Sequence, residues 1–266
     1  MAKIFEKNKT YLGDCLELMP QMESGIFDMI LCDLPYGTTD CKWDTIIPFE
    51  PLWEQYKRLI KLNGVIALTA SQPFTSALVM SNPKMFKYEW IWHKNKVTDI
   101  FNANNAPLKA HENILIFGNN RKYTFNKQME ERSKNSHTKG YVKSKGKGIY
   151  ANTNNSSKAV IKGSKSNPKS VQYIEHLHWS SSEKTGHPTQ KPVSLFEYLI
   201  KTYTNEGDLI LDNCAGSGTT GEACCNTGRN YIQIEKEQKY FDLILEREKS
   251  FNKKDLYDGT LFETQM

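Results

Sequence analysis

The sequence lacks the features that place a protein in a membrane, outside the cell or around a metal. A membrane span needs about 18 consecutive apolar residues, and no stretch of the sequence approaches that length. The first seven residues lack the apolar core of a secretory signal. Its six cysteines form no Cys-x-x-Cys pair, which favours reduced, buried thiols over a zinc site. These absences predict a cytoplasmic protein with no membrane partner and no metal. At 266 residues, it has room for one large domain or one domain with an insertion.

Positive charge is concentrated in one segment. Residues 119–178 contain 13 lysines and arginines against three acids, a formal +10, and since the whole chain carries +5, the remainder carries −5. The segment is rich in Lys, Asn, Ser and Gly and has no clear periodicity. A neutral-to-acidic body with one basic insert predicts a polyanionic partner that is bound at one place. A solvated loop with no partner is the alternative.

Outside this segment, buried strands alternate with amphipathic helices. Residues 27–32 form an apolar run, a helical stripe begins at Phe49 and ends at Asn63-Gly64, and residues 65–68 form the next strand. After the insert, a helix up to Tyr203 precedes a strand at 209–211, a glycine-rich loop, a helix and a strand at 231–234. This alternation predicts an α/β fold with a parallel sheet and crossover helices.

The apolar run at 27–32 leads directly into Asp33-Leu34-Pro35-Tyr36. A strand tip with an acid and an aromatic ring fixed by a proline can bind a flat polar ring: the tyrosine stacks on its face and the carboxylate accepts a hydrogen bond from its edge. A strand that runs into an ordinary turn with a capping aspartate is the alternative.

A second site is predicted at the glycine-rich loop 212–220. Glycines let the backbone approach a ligand closely, and Glu235, at the tip of the following strand, is placed to accept hydrogen bonds from ribose hydroxyls. Gly216, Gly218 and Gly221 also match a dinucleotide-binding fingerprint. A dehydrogenase would, however, leave the Asp33 motif and the basic insert without a role.

Three other residues each allow two interpretations. Asp14, at the end of a predicted strand, is either a ligand-binding residue or the N-cap of the helix that follows. Trp43 and Asp44 either contact the substrate or anchor their loop.

Three motifs in this order resemble the β-group of the DNA amino-methyltransferases. They are Asp33-Leu34-Pro35-Tyr36, His187-Pro188-Thr189-Gln190-Lys191-Pro192 and the loop from Asp212 to Thr220. That family has an Asp-Pro-Pro-Tyr catalytic motif, then a target-recognition insert, then the half that binds S-adenosyl-L-methionine, a circular permutation of the usual methyltransferase chain. The resemblance covers residues 10–118 and 179–250. It implies a Rossmann-like, doubly wound and mostly parallel sheet of seven strands, circularly permuted.

The resemblance also implies a role for individual residues. The catalytic motif corresponds to Asp33, Pro35 and Tyr36, and the residues implied in cofactor binding are Asp14, Lys191, Asp212, Ala215, Gly216, Gly218, Thr220 and Glu235. Lys191 lies in the stretch that contacts the methionine end of the cofactor, and Asp14 resembles an acid near its adenine. Leu34 departs from the family, which has proline there, and Cys214 stands where a phenylalanine commonly packs on the cofactor.

The implied activity is methylation of DNA at the N6 amino group of adenine, with double-stranded DNA as partner. N4-cytosine methylation and a catalytically silent DNA-binding protein are the alternatives; enzymes that act on RNA or on protein amides usually have asparagine at the position of Asp33. The implied organisation is a catalytic domain (1–118 and 179–251), a target-recognition insert (119–178) and a tail (252–266). Family members are often homodimers. The expected DNA contacts in the insert are Lys122, Arg132, Lys139, Lys143 and Lys145.

Overall fold

Eight strands form one sheet in the order β1-β10-β9-β2-β3-β5-β4-β8. The computed structural model describes residues 5–41, 43–98, 100–120, 122–131, 165–178, 180–181 and 183–260, without the side chains of 252–260. The strands of the sheet are β1 (Lys9–Leu12), β2 (Phe27–Cys32), β3 (Ile60–Ala70), β4 (Phe86–Thr98), β5 (Lys109–Phe117), β8 (Val171–Tyr173), β9 (Leu209–Asp212) and β10 (Asn230–Glu235). The helices are α1 (Cys15–Leu18), α2 (Phe49–Leu59), α3 (Phe74–Ser81), α4 (Val193–Tyr203), α5 (Thr219–Asn226) and α6 (Gln238–Thr260).

In the sheet, the five strands β1, β10, β9, β2 and β3 pair in parallel with one another. Strand β5 runs antiparallel to both of its neighbours, β3 and β4. The mostly parallel α/β sheet expected from the sequence is therefore confirmed. The expected number of seven strands is wrong, because Val171–Tyr173, from the segment expected to be the insert, pairs in parallel with β4. This short strand covers the backbone groups that β4 would otherwise present at the edge of the sheet.

Side chains alternate between two cores on either side of the sheet, as the period of a strand requires. On β2, Ile30 and Cys32 join one buried cluster, while Met29 and Leu31 join the other. The first cluster includes side chains of α1, α2 and α3, and the second includes those of α4 and α5. Each of these helices therefore packs an apolar face on the sheet, and the strand ends are left to carry the polar residues.

Helix α2 shows where pattern and structure differ. The stripe of Leu52, Trp53, Tyr56 and Leu59 is buried as predicted, and Pro51 lies in the first turn, where its missing N–H does no harm. The helix was expected to reach Asn63, but it ends at Leu59 because Ile60 already pairs with Phe27 of β2.

Residues 127–131 and 165–169 are the described part of a second unit, within which β6 (Glu130–Glu131) and β7 (Lys165–Ser166) pair. The rest of the chain is the other unit, so residues 119–126 and 170–178, placed in the insert from the sequence, group with the large sheet. Helix α6 continues to Thr260, into the segment expected to be a tail. None of the described helices is long and apolar enough to cross a membrane.

Candidate active site

Asp33 directly follows β2, and its carboxylate is held by three side chains. Its Oδ1 lies 2.9 Å from the Tyr36 hydroxyl and accepts a hydrogen bond from the Thr69 hydroxyl, while Oδ2 accepts one from Lys191 Nζ at 2.7 Å. A carboxylate offers about four acceptor positions, so at least one remains for a ligand. Thr69 is fully buried on β3, next to β2, and sequence reasoning missed it. A polar residue near the end of a buried strand was the signal that could have found it.

Tyr36 is fixed on both its ring and its hydroxyl. The ring stacks on Phe74 with centroids 5.3 Å apart, and Lys191 Nζ lies 5.6 Å from the Tyr36 centroid. Burial, and then the charge of Asp33, raises the pKa of the hydroxyl well above its ordinary value, so it stays a protonated donor. That Tyr36 stacks on a substrate base remains a prediction. Leu34, where the family has proline, is buried in the core, which gives the leucine a packing role.

The turn after the motif is closed by Asp44. Its carboxylate accepts hydrogen bonds from the backbone N–H groups of Gly37 at 2.9 Å, Thr38 at 2.9 Å and Thr39 at 2.7 Å. Burial opposes its ionisation, but these donors lower the pKa of Asp44 below its usual value. Of the two interpretations of Asp44, the structure therefore supports loop anchoring.

The glycine loop lies at the end of β9, which pairs directly with β2. Gly216 has φ +54°, and a Cβ there would lie 3.2 Å from His187 Nε2. The Gly216 N–H donates to Glu235 Oε2 at 2.7 Å, and the Glu237 N–H donates to Glu235 Oε1 at 2.8 Å. Burial raises the pKa of Glu235. The loop and the tip of β10 are thus one hydrogen-bonded unit.

Three of the residues implied in cofactor binding, Asp212, Gly218 and Thr220, make contacts that hold the loop in place. The Thr220 hydroxyl donates to Asp212 Oδ2 at 2.5 Å, and a Cβ on Gly218 would lie 3.1 Å from Ile244. Asp212 is 2% exposed, and burial raises its pKa to about 7. Tyr56 of α2 donates to the Asn213 side chain at 2.6 Å and fixes the start of the loop.

Asp14 has one of the two roles considered for it, that of a helix N-cap, and its ligand-binding role stays a prediction. Its Oδ1 caps α1 by accepting from the Leu16 N–H at 2.9 Å, and its Oδ2 accepts from Lys236 Nζ at 2.9 Å. Although burial opposes the shift, these two donors lower its pKa. Asp14 also lines the cavity between the two predicted sites.

One cavity of about 710 Å³ joins the two predicted sites. The predicted residues that line it are Asp14, Asp33, Pro35, Tyr36, Lys191, Asp212, Ala215, Gly216 and Glu235, together with Cys214. Residues from separate motifs thus meet at the carboxyl ends of neighbouring strands, where open α/β sheets bind ligands. His187 completes the wall, with its ring 4.3 Å from that of Tyr240 and 5.5 Å from that of Trp43.

Lys191 belongs to a buried row of four alternating charges. Lys94 Nζ lies 2.5 Å from Glu112 Oε1, Lys191 Nζ lies 3.3 Å from Glu112 Oε2, and Lys191 also contacts Asp33. Burial alone would lower the pKa of Lys191, but the two carboxylates outweigh it and raise the pKa above the ordinary lysine value. Burial would likewise raise the pKa of Glu112, but Lys191 and Lys94 lower it to about 2. Sequence reasoning missed Lys94 and Glu112, although Glu112 precedes the apolar run of β5.

The expected DNA contacts are mostly untested by the structure. Lys122 is exposed. Arg132, Lys139, Lys143 and Lys145 lie outside the described residues.

Comparison with known proteins finds a family whose model matches most of the chain. The model of the N6_N4_Mtase family, described as DNA methylase, matches residues 27–246. The Type II methyltransferase M.HpaI of Haemophilus parainfluenzae is 28% identical over 92% of this chain and 76% of its own length. The DNA adenine methyltransferase YhdJ of Escherichia coli (strain K12) is 38% identical over 30% of this chain and 27% of its own length. The crystal structure of M1.HpyAVI in complex with SAM is 25% identical, with a TM-score of 0.60 over 90% of this chain and 98% of that one.

Proposed function

Because the chain belongs to the N6_N4_Mtase family of DNA methylases, we propose that it transfers a methyl group from S-adenosyl-L-methionine to the N6 amino group of adenine in double-stranded DNA. The observation that carries the proposal is the single cavity that holds the Asp33 carboxylate and the glycine loop with Glu235. Asp33 at the head of the motif favours adenine. The name of the relative YhdJ, an adenine methyltransferase, supports the same base.

The residues present fit the cofactor. Gly216 has no side chain and lines the cavity together with Ala215 and Glu235, so the backbone of the loop is open to a ligand there. Glu235 uses one acceptor position on each oxygen for a backbone N–H, and the remaining positions can accept ribose hydroxyls. We assign Glu235, Gly216, Ala215 and Asp14 to cofactor binding. When bound, S-adenosyl-L-methionine supplies a methyl group on a positively charged sulfur.

Asp33 activates and orients the acceptor nitrogen. The lone pair of the adenine amino group is delocalised into the ring, which makes it a poor nucleophile. The open acceptor position of Asp33 and the backbone carbonyl of Pro35 can each accept one N6 hydrogen and hold the nitrogen with its lone pair directed at the methyl group. As the methyl carbon leaves sulfur and bonds to the nitrogen, positive charge would develop on the nitrogen and the Asp33 carboxylate would stabilise it. The nitrogen would then release one of its two protons to give the neutral methylated amine.

The substrate base must leave the duplex to enter the cavity, at a cost of a few kcal/mol. Lysines and arginines of the basic segment bind the phosphates, and a subset reads base edges in the major groove. Homodimer formation and a cytoplasmic location are further parts of the proposal. Both follow from the family resemblance and the sequence rather than from a contact in the structure.

The test is to identify the modified base and its site. DNA from cells that express the protein is digested for nucleoside mass spectrometry and is sequenced with a method that detects modified bases. We expect N6-methyladenine at one short sequence, and none in cells that express Asp33→Ala. Asp242→Asn, an exposed change on α6, is the control and should methylate normally.

Other results separate the alternatives. Detection of N4-methylcytosine in place of N6-methyladenine would identify the protein as an N4-cytosine methyltransferase. An unmodified genome, together with sequence-specific DNA binding by the purified protein, would identify a silent DNA-binding protein.

A further inference from the structure

The row of charges that ends at Asp33 is largely buried and electrically balanced. In order of contact its members are Lys94, Glu112, Lys191 and Asp33, all four line the cavity, and the exposed fractions of their side chains are 4%, 14%, 7% and 22%. Two cations alternate with two anions, so the net charge is zero. A buried charge without a partner costs several kcal/mol, which makes this balance a strong constraint on each member.

Glu112 occupies the central position of the row. It is the only carboxylate among the described residues that contacts both Lys94 and Lys191. Lys191 is thereby shared between Glu112 and Asp33, so its positive charge is balanced by two carboxylates and not by Asp33 alone. Without the Glu112 charge, two lysines would face Asp33 alone, and the row would carry +1 next to the nitrogen on which positive charge develops.

We propose that Glu112 is a positioning residue for methyl transfer: it shares Lys191 with Asp33 and keeps the charge row neutral, so that Asp33 can bind and stabilise the amino group. The inference rests on the proposed function. Glu112 acts through Lys191 and need not touch the base or the cofactor.

Charge can be separated from shape by a set of variants. Glu112→Gln keeps the shape but removes the charge, and we expect kcat to fall about tenfold near pH 7. Glu112→Asp keeps the charge and should remain within about threefold of wild type. The double variant Lys94→Met/Glu112→Gln removes one charge of each sign, restores neutrality, and should recover most of the lost activity. Glu197→Gln, in an ion pair on α4, is the control.

The pH profile gives a readout that a packing role would not change. In Glu112→Gln, Lys191 loses one of the two carboxylates that raise its pKa, so it should release its proton at a lower pH than in wild type. Loss of this proton returns the row to a net charge of zero. The ratio of kcat in this variant to kcat in wild type should therefore rise between about pH 7 and about pH 9.5. Other titratable groups near the row include Cys32, Tyr36, His176, His187 and Asp212. The pKa of Tyr36 lies well above its usual value, that of Cys32 is raised to about 12, and those of the histidines lie below theirs, so these four do not titrate in this window. Burial raises the pKa of Asp212 to about 7, so Asp212 titrates at the lower end of the window in wild type and variant alike, and the comparison with wild type removes its effect.

The experiment measures kcat with saturating S-adenosyl-L-methionine and a duplex that contains the mapped site. Urea unfolding confirms that each variant is folded. The inference is supported if kcat of Glu112→Gln is about tenfold lower than that of wild type and rises at alkaline pH, and if the double variant recovers most of the activity. Wild-type activity in Glu112→Gln, or a loss with neither rise nor recovery, overturns it while the proposed function stands. Absence of methyl transfer by the wild-type protein would overturn both this inference and the proposed function.

Discussion

Lys191 Nζ lies 2.7 Å from Asp33 Oδ2, although the two residues are 158 positions apart in the chain. The contact joins the motif after β2 to the motif before α4, and the pairing of β2 with β9 brings the glycine loop to the same place. The distant motifs of the sequence are therefore parts of one site.

Replacing Lys191 with methionine should destabilise the protein and reduce methyl transfer. Glu112 and Asp33 would lose the cation between them, and removing one partner of a buried ion pair costs about 3 kcal/mol. Urea unfolding measures the loss. The control is Lys201→Met, because Lys201 is 44% exposed in its pair with Glu197 and an exposed pair contributes below about 1 kcal/mol. Equal unfolding free energies for the two variants would contradict the prediction.

Gly216→Ala should weaken cofactor binding more than it weakens folding. The residue has φ +54°, and its new Cβ would lie 3.2 Å from His187 Nε2 beside the cavity. Gly207→Ala is the matched control, since Gly207 has φ +83° but nothing within 4 Å of the added Cβ. Both changes should cost about 1 kcal/mol of backbone strain. Isothermal titration calorimetry with S-adenosyl-L-methionine should show a weaker Kd for Gly216→Ala alone, and unchanged affinity in both would count against the assignment of the loop.

Glu235→Gln should raise the Kd for S-adenosyl-L-methionine about tenfold, because hydrogen bonds to a charged acceptor contribute about 1.5 kcal/mol or more. Calorimetry measures the change. The matched control is Glu246→Gln, in an exposed pair with Lys249. DNA affinity should stay the same in both variants, and a wild-type Kd in Glu235→Gln would remove the ribose role from this residue.

His187 should make the protein lose stability in mild acid. Burial lowers the pKa of His187 to about 4, below the ordinary value of 6.5. The folded protein therefore binds this proton less readily than the unfolded chain, so the stabilisation is present above about pH 6.5 and is lost as the pH falls towards 4. Between pH 7 and pH 5 this site should cost wild type about 2 kcal/mol of unfolding free energy.

His187→Gln should lose about 2 kcal/mol less than wild type over the same interval, since it has no group to protonate. Urea unfolding at the two pH values tests this, with His178→Gln, at an exposed position, as the control. The same pH-dependent loss in His187→Gln and wild type would show that other groups cause it.

The sequence predicts the parts of the site that lie in local motifs. The apolar run before Asp33 and the glycines before α5 each specify a strand end, and the order of the motifs indicates the permuted sheet. Thr69, Lys94 and Glu112 could not be found in this way, because their roles depend on which strands become neighbours. Thr69 meets Asp33 only through the pairing of β3 with β2, and Glu112 meets Lys191 only through the packing of β5 near the loop before α4.

Tertiary pairing also overrides local pattern in two elements. Ile60 continues the helical stripe of α2, but its pairing with Phe27 converts it to strand. Val171–Tyr173 lies in a polar, basic segment with little periodicity, and it becomes a strand because the edge of β4 accepts it.

The most direct test of the account is methyl transfer by Asp33→Ala to a duplex that contains the mapped site, with labelled S-adenosyl-L-methionine and nucleoside mass spectrometry as the readout. Calorimetry on the same protein checks that cofactor binding is retained, because Glu235 and the glycine loop are unchanged. The account predicts labelled N6-methyladenine with wild type and a loss of at least about a hundredfold with Asp33→Ala. Undiminished N6-methyladenine formation by Asp33→Ala would contradict it.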